Sequence, residues 1–513
     1  MHQNLFSDMS ASTYLSKQQK HAISFLHDKT NYSAPQSPPL KWPMSQVLPT
    51  DVEQLLKHGL CEEIPDDVYK RSFGYIFTVF EAKKNRRRLV HDTLSANFLC
   101  APPPSPNFTP LNRLQSVLAY GSHACTLDLK AMYYQIPLHP NVRQFFPFTF
   151  QEKHYQFRRL PMGFTWSVYI AQTIARFITS TLRNVHVELY IDNILLVGSK
   201  EHVAEARTQF LQICARYNIT LSEDSGVVQI VRFRGMQFDF HDKSFQIDPS
   251  FVQKFIDRCA ANNHTWCDWR ALLGSAVYGL TALGESLAPF FHLLKWLAHN
   301  VPTSPWQRVQ MWQQANIEWC LAVQKITTNT PRSPCEPITQ HTIITDAATE
   351  TSAIAAIHVS PGGKLSWFWE SISEYHSIND LEAHAFKRAL ERWRPSLFYT
   401  NVVWFCDNTS AIGAVNATRS KSWALNKEVN EITSILHELH ARLLSQWIPS
   451  AENPADHPSR YFSLPPAQHL HALQMHGLFQ RAVIPSLVRG GELVEARLCS
   501  GVPYQCKTFP QRR

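Results

Sequence analysis

Six acids in this chain stand where an apolar run gives way to a polar turn or a helix start. In "ACTLDLKAMYYQIPL", Asp128 ends an apolar strand, and in "VELYIDNILLVGSK" two short apolar strands meet at a tip carrying Asp192 and Asn193. Further on, "HTIITDAATE" puts Asp346 at a strand end, and "INDLEAHAFKRALERW" puts Glu382 in the first turn of an amphipathic helix. "NVVWFCDNTSAI" ends a strand at Asp407, and "WIPSAENPADHPSR" presents Asp456 after another. Carboxylates gathered from separate strands can hold two Mg²⁺ ions about 3.5–4 Å apart, one activating an attacking oxygen and one steadying the leaving group. Mg²⁺ takes hard oxygen ligands and keeps several waters, so two protein carboxylates plus substrate phosphates suffice. Each acid also has a bland account. An isolated Asp favours turns, Glu382 could complete a capping box with Asn379, and Asp407 could cap the helix after it.

The elements that would position these acids fall into two α/β regions. Residues 1–40 are polar, end in "SAPQSPPLKWP", and are expected to be a disordered extension. From "DVEQLLKHGL" the apolar spacing is helical, "FGYIFTVFEAKKNRRRLVHD" predicts strands around a basic turn, and a mixed α/β region runs over 41–248. Within it, "FRRLPMGFTWSVYIAQ" places a turn with Pro161 and Gly163 before an amphipathic helix, where glycine permits close backbone approach. Residues 249–335 are helical in pattern and rich in Trp and Leu; "TTNTPRSPCEP" at 327–337 is expected to be a linker. A second α/β region covers 338–461. The tail, 462–513, carries six Lys/Arg against two Glu and has no readable role. "EDSG" at 223–226 contains an Asp-Ser-Gly but is expected to be a loop.

The order and spacing of the first set resemble the palm of reverse transcriptases over most of residues 41–250. "LDLKAMYYQIPL" resembles that family's first palm motif, with Asp128 as metal ligand and Tyr133 at the position of an aromatic gate against a ribose 2′-hydroxyl. "LPMGFTWSVYIAQ" resembles the second, implying Met162 and Gly163 beside the incoming nucleotide and Gln172 on the helix. "YIDN" occupies the third, with Asp192 as ligand and Asn193 where the family has a second Asp. "KKNRRRLVHD" resembles the fingers segment, implying Lys84 (or Lys83) and Arg87 against the triphosphate. "RFRGMQFDF" is a loose version of the primer grip, with Arg234 in place of a usual Leu. The Asn193 amide oxygen can accept a hydrogen bond or hold a metal-bound water but supplies no negative charge. The resemblance therefore implies synthesis with a raised Mg²⁺ requirement.

The second set resembles a ribonuclease H fold, with Asp346, Glu382, Asp407 and Asp456 in chain order as its four metal-binding acids. "IPSAENPA" lacks the mobile His that many such domains carry before the last Asp. "PSAENPADHPSR" is similar to the corresponding end of hepadnavirus polymerases and of DIRS/VIPER-like retrotransposons, and "LDLKAMYYQI" also resembles gypsy-type elements. The fold class so implied is multidomain α/β (α+β). A right-hand polymerase has fingers and palm at 41–248 and thumb/connection at 249–335, followed by a ribonuclease H-like domain. The implied cofactor is Mg²⁺, with Mn²⁺ as an alternative, two ions per site. The implied partners are an RNA template, a DNA or RNA primer, RNA–DNA hybrid and dNTPs, with a Gag-like protein and a tyrosine recombinase encoded separately.

Composition is compatible with these readings, although taken alone it slightly favours an ordinary soluble basic protein. The 513 residues are 44% hydrophobic and 12% aromatic, enough for several cores, and a net charge of +8 suits an anionic polymer. Eleven scattered cysteines include no Cys-x-x-Cys pair, and Cys259, His264 and Cys267 match no zinc spacing. No apolar run is long enough to span a bilayer and "MHQNLFSDMSASTYLSKQQK" has no signal-peptide pattern, so an intracellular protein, cytoplasmic or nuclear, is expected. The rival reading is a non-catalytic nucleic-acid-binding retroelement remnant. Asn193 is the catalytic-motif residue that favours it, and six matched carboxylates stand against it.

Overall fold

In His123–Leu129 (β1), Ala124, Cys125, Leu127 and Leu129 are buried while Asp128 is half-exposed, so the acid lies on the opposite face from the core. The strand belongs to an antiparallel sheet with His186–Tyr190 (β2), Asn193–Gly198 (β3) and Leu221–Asp224 (β4), in the order β2-β3-β1-β4. Its covered face carries Ser167–Thr179 (α1) and Lys200–Arg216 (α2). α2 buries Val203, Ala206, Phe210 and Cys214 at a helical spacing and is capped by Ser199. The computed structural model describes residues 1, 3–32, 47–65, 75–81, 86–260, 264–334 and 339–460. The chain divides into two units, Met1–Phe245 and Gln246–Arg513.

Two expectations for the first unit are corrected. The N-terminal extension is folded where it is described: helices Gln3–Ala11 and Lys17–Ser24 bury Leu5, Met9, Ala22 and Ile23 in the unit's core. Phe25 stacks on Trp166 at 4.2 Å and Tyr32 on Phe145 at 4.3 Å. A polar average composition hid apolar residues at helical spacing, which is what decides burial. "EDSG" is likewise not a loop throughout, because Glu223 and Asp224 lie in β4 and only Ser225 and Gly226 follow it. Strands Tyr75–Glu81 and Arg86–Asp92 form the expected hairpin. Its basic turn, with Lys83 and Lys84, lies outside the described residues, as does the tail 462–513.

In the second unit, Thr339–Ala348 (β5), Ala353–Val359 (β6), Leu365–Ser371 (β7), Thr400–Cys406 (β8) and Arg442–Trp447 (β9) form one sheet, in the order β7-β6-β5-β8-β9. β5, β6 and β7 are antiparallel, whereas β8 and β9 run parallel to β5. The parallel crossovers require helices, and Ile378–Arg392 (α3), Thr409–Asn416 (α4) and Trp423–Glu438 (α5) supply them. α3 packs Leu381, Ala385 and Ala389, all fully buried, into the core, where Phe386 stacks on Trp404 at 4.2 Å. Asp456–Arg460 (α6) follows β9.

The helices Pro249–Cys259, Trp266–Ala282, Phe291–His299 and Gln313–Thr328 belong to this same unit. Ala288 sits in the core of the five-stranded domain, and the buried Asn426 donates to its carbonyl at 2.9 Å. The stretch expected to be a free linker is tied down. Asn329, at φ +31°, bonds both backbone groups of Ile247 at 3.0 and 2.9 Å, and Arg332 pairs with Glu285 at 2.8 Å. Residues 335–338 lie outside the described part. No described helix is long and apolar enough to cross a membrane.

Candidate active sites

The first set of acids meets at the β2–β3 turn. Asp128 on β1 lies directly opposite Asn193 on β3, and the Leu129 amide donates to the Asp192 carbonyl at 2.9 Å. That single backbone bond seats Asp192 beside Asp128. The turn is strained, because Ile191 has φ +60°, a left-handed conformation that a β-branched residue rarely adopts. Gln172, 3% exposed on α1, holds it. Its Oε1 accepts from the Ile191 amide at 2.8 Å and its Nε2 donates to the Leu189 carbonyl at 3.3 Å. Gln172, expected on the helix beside the nucleotide, thus holds the turn from behind. Asn193 donates to an Asp192 oxygen at 3.1 Å, a bond a second carboxylate could not make. The Ser222 hydroxyl on β4 donates to Asp128.

The flanking residues serve as supports. A Cβ on Gly163 would come within 2.9 Å of the His91 carbonyl and 3.0 Å of Thr93 Oγ1, so glycine is required for that close approach. Asn97 bridges the same turn, donating to the Gly163 carbonyl at 3.1 Å and accepting from Thr165 at 2.8 Å. Tyr133 and Met162 are half-buried, and Tyr133 packs against the core. The Arg87 guanidinium donates to Asp51 and to Thr78, both at 3.1 Å. Arg234, at the tip of a hairpin between Ile230–Phe233 and Met236–Asp239, lies 4.4 Å over the Tyr190 ring and bonds the Thr109 carbonyl at 2.6 Å. Here a cation–π contact occupies the position where an apolar residue was usual.

The second set converges on a cavity of about 300 Å³ lined by Asp346, Glu350, Glu382, Asp407, Asn408 and Arg460 among others. Asp346 and Glu382 are each only 3% exposed. Burial, with Asp407 and Asp456 adding like charge, pushes the Asp346 carboxyl up to about 7 although the Ser459 hydroxyl opposes the shift. Burial and the charges of Asp346 and Asp407 raise Glu382 well above the usual carboxylate range. Asn453 and Ser459 fix Asp346, the former donating at 3.1 Å, while the Cys406 thiol lies 3.6 Å from Glu382. Asp456 does not line the cavity; Arg460 holds it at 2.6 Å. The capping roles considered for these acids fall to other residues. Ser377 caps α3 and Asn408 caps α4, which frees Glu382 and Asp407. Crowded buried carboxylates with hard oxygen donors and raised proton affinity fit a divalent cation, whose charge would offset their repulsion.

Residues 83–229 match the family model described as reverse transcriptase (RNA-dependent DNA polymerase). This stretch is similar to reverse transcriptase domains. Among curated relatives, the Gag-Pol polyprotein of Rous sarcoma virus subgroup B (strain Schmidt-Ruppin) is 26% identical over 226 residues, 40% of this chain and 13% of that protein. The enzymatic polyprotein of soybean chlorotic mottle virus is 30% identical over 194 residues, 36% of this chain and 27% of its own length. The chain thus spans under a third of these relatives. A solved structure of the foamy viral protease-reverse transcriptase dRH in complex with ds DNA superposes with a TM-score of 0.50 at 13% identity, covering 86% of this chain and 81% of that one. That likeness concerns the fold, a mixed α/β multidomain polymerase architecture.

The matched stretch contains Asp128, Asp192, Asn193, Tyr133, Met162, Gly163, Gln172 and Arg87, and Asp346, Glu382 and Asp407 meet in the second unit. Sequence reasoning missed Ser222, Asn97, Ser459, Asn453 and Arg460. Apart from Arg460, which holds Asp456 four residues away, each acts through a partner distant in the chain, so periodicity carries no signal for it. Only the asparagine and the serine of "AENPADHPSR", packed around an Asp already singled out, offered a local hint.

Proposed function

We propose that the chain is a retrotransposon RNA-directed DNA polymerase that copies RNA into DNA and degrades the RNA of the resulting hybrid. The observation that carries the polymerase reading is Asp128 and Asp192 side by side on paired backbone inside the matched domain. These two acids would hold Mg²⁺ or Mn²⁺, two ions as in other nucleotidyl transfer sites, which when bound supply the charge that activates a 3′-hydroxyl and steadies pyrophosphate. Gln172 keeps the strained turn in place, Ser222 orients Asp128, and Tyr133 stands near the sugar. Arg87, with Lys84, would neutralise the triphosphate. In the second unit Asp346, Glu382 and Asp407 would hold the cations that assist in-line attack of water on an RNA phosphodiester. Asn453 and Ser459 fix the Asp346 rotamer, and Arg460 keeps Asp456 beside the cavity.

The partners that follow are an RNA template, a primer, dNTPs and RNA–DNA hybrid, with separately encoded Gag-like protein and tyrosine recombinase if the element is of the DIRS/VIPER type that "PSAENPADHPSR" resembles. Primer extension on an RNA template across a Mg²⁺ and Mn²⁺ series, alongside cleavage of a labelled RNA–DNA hybrid, tests the reading. Extension at millimolar metal supports it. No extension at any metal concentration, with nucleic acid still bound, replaces it with the non-catalytic remnant.

A further inference from the structure

We propose that Cys406 makes the cation site of the second unit thiophilic, so that Glu382, Cys406 and Asp407 together bind a divalent cation of the zinc and cadmium class in competition with Mg²⁺. The inference rests on the ribonuclease H reading and deepens it, because the carboxylates are shared while the thiol has no part in that reading. One oxygen of each carboxylate and the Cys406 sulfur lie within 4.8 Å of one another, a gathering that one cation can bridge. Two elements bring the three together. Cys406 is the last residue of β8 and turns its side chain to the α3 side, where it is fully buried in the same core as Leu381 and Ala385. Glu382 reaches it from the first turns of α3, and Asp407 follows it where the strand gives way to α4. The fold thus sets a soft ligand between two hard ones, out of contact with bulk water.

The distances suit a tetrahedral ion. Zn²⁺ binds sulfur at about 2.3 Å and carboxylate oxygen at about 2.0–2.2 Å, and a tetrahedral angle between such bonds sets the two atoms about 3.5–3.7 Å apart. Cys406 Sγ lies 3.6 Å from Glu382 Oε2. The Asn408 amide donates to the same sulfur at 3.3 Å, a backbone bond that supports an anionic sulfur and fixes its direction. Neither Glu382 nor Asp407 forms an ion pair with a described residue, and Arg460 on the cavity wall is taken by Asp456. With three protein ligands, the fourth position opens on the cavity of about 300 Å³, the arrangement of a zinc site that keeps a place for water or substrate. Mg²⁺ demands octahedral oxygen, whereas thiolate selects softer ions. On binding, the cation takes the place of the thiol proton, which passes to water. The bland alternative is a buried thiol that only donates a weak hydrogen bond to Glu382, which the same 3.6 Å allows.

The test titrates the full chain with Cd²⁺, a spectroscopic stand-in for Zn²⁺, and reads the thiolate-to-cadmium charge-transfer absorption in the ultraviolet. Cleavage of a labelled RNA–DNA hybrid in Mg²⁺ is read separately. Wild type should develop the absorption as Cd²⁺ binds. Cys406→Ser should lose it and bind Cd²⁺ at least about tenfold more weakly, the lower end of what even outer-shell partners of a metal cost. Glu382→Gln keeps the thiol and should weaken Cd²⁺ by at least about the same factor, which sets this site apart from the other cysteines and stands in if the serine variant fails to fold. No thiolate absorption in wild type, or undiminished absorption and affinity in either variant, overturns the inference. If wild type cleaves hybrid yet shows no thiolate absorption, the inference fails and the ribonuclease H reading stands. If Cd²⁺ binds as described while no divalent cation supports cleavage, that reading fails and the thiophilic site stands.

Discussion

Gln172→Leu should disable the polymerase through the turn without touching a substrate. The side chain is almost wholly buried and both of its amide atoms serve the turn. Leucine fills similar volume but leaves the Ile191 amide and the Leu189 carbonyl without these partners. Two lost hydrogen bonds of about 1 kcal/mol each, one leaving a part-buried donor unmade, come to about 2–3 kcal/mol on this turn. Ile191 at φ +60° stores a further ~1–3 kcal/mol that persists only while the surroundings hold it. Once the clamp is gone the turn should relax to a conformation with negative φ at Ile191, carrying Asp192 away from Asp128. A displacement near 1 Å can cost about a hundredfold in rate. The expected result is a fall in extension of that order at saturating metal, with a loss of about 2 kcal/mol in urea unfolding of the first unit. Ile191→Gly, which adopts positive φ freely, should recover part of the rate in the Gln172→Leu background. Wild-type extension by Gln172→Leu would refute the reasoning, since a turn that needs no clamp stores no useful strain.

Three further outcomes follow from the geometry. Asp407→Asn should abolish hybrid RNA cleavage and leave DNA synthesis intact, because Asp128 and Asp192 belong to the other unit; cleavage of a labelled hybrid by the purified variant sinks the assignment. A fragment starting at 339 should be about 2–4 kcal/mol less stable to urea than one starting at 246, because it strips Asn426 of its bond to Ala288 and uncovers the Trp423 ring that lies 5.0 Å from Phe291; equal stability would mean the linker boundary was right. The buried His358, pushed down to about 4 by its burial and by His341 at 2.8 Å, is kept neutral in the fold, so the unfolded chain binds more protons between pH ~6.5 and ~4 and stability is lost as pH falls through that window, by roughly 2–3 kcal/mol. Asp346, with a raised carboxyl, pulls the other way, so the measurement is the difference between wild type and His358→Gln in urea unfolding at pH 7 and pH 4.5; no pH dependence in that difference would rule the pair out.

Asp128, Asp346 and Asp407 were legible because each ends a run whose apolar residues mark a strand, as in "ACTLD", "HTIITD" and "WFCD". A strand's end is where a polar side chain can leave the core without breaking the sheet. The same logic failed where burial is decided by distant chain. Sequence placed Gln172 on the helix among the substrate-binding residues and gave no sign of its bonds to the Ile191 amide and the Leu189 carbonyl, which depend on β2 and β3 packing against it. Residues 1–32 look polar on average, yet Leu5, Met9 and Phe25 reach a core built by residues more than a hundred positions away. The Pro-rich stretch at 327–337 has the composition of a linker. It gives no sign that Asn329 and Arg332 find Ile247 and Glu285 some fifty to eighty positions earlier.

Asn193 gains a physical account from these contacts. With two acids in the box, Asp192 would face a like charge on the adjacent residue and another on Asp128 across the strand pair, a repulsion that only bound cations relieve. With Asn193, the amide donates to Asp192 and the turn is satisfied before any cation arrives. On the proposed polymerase reading the substitution would exchange metal affinity for pre-organisation of the hairpin. A chain that was merely decaying at this position has no reason to keep Gln172 locked on the strained turn and Ser222 on Asp128 at once.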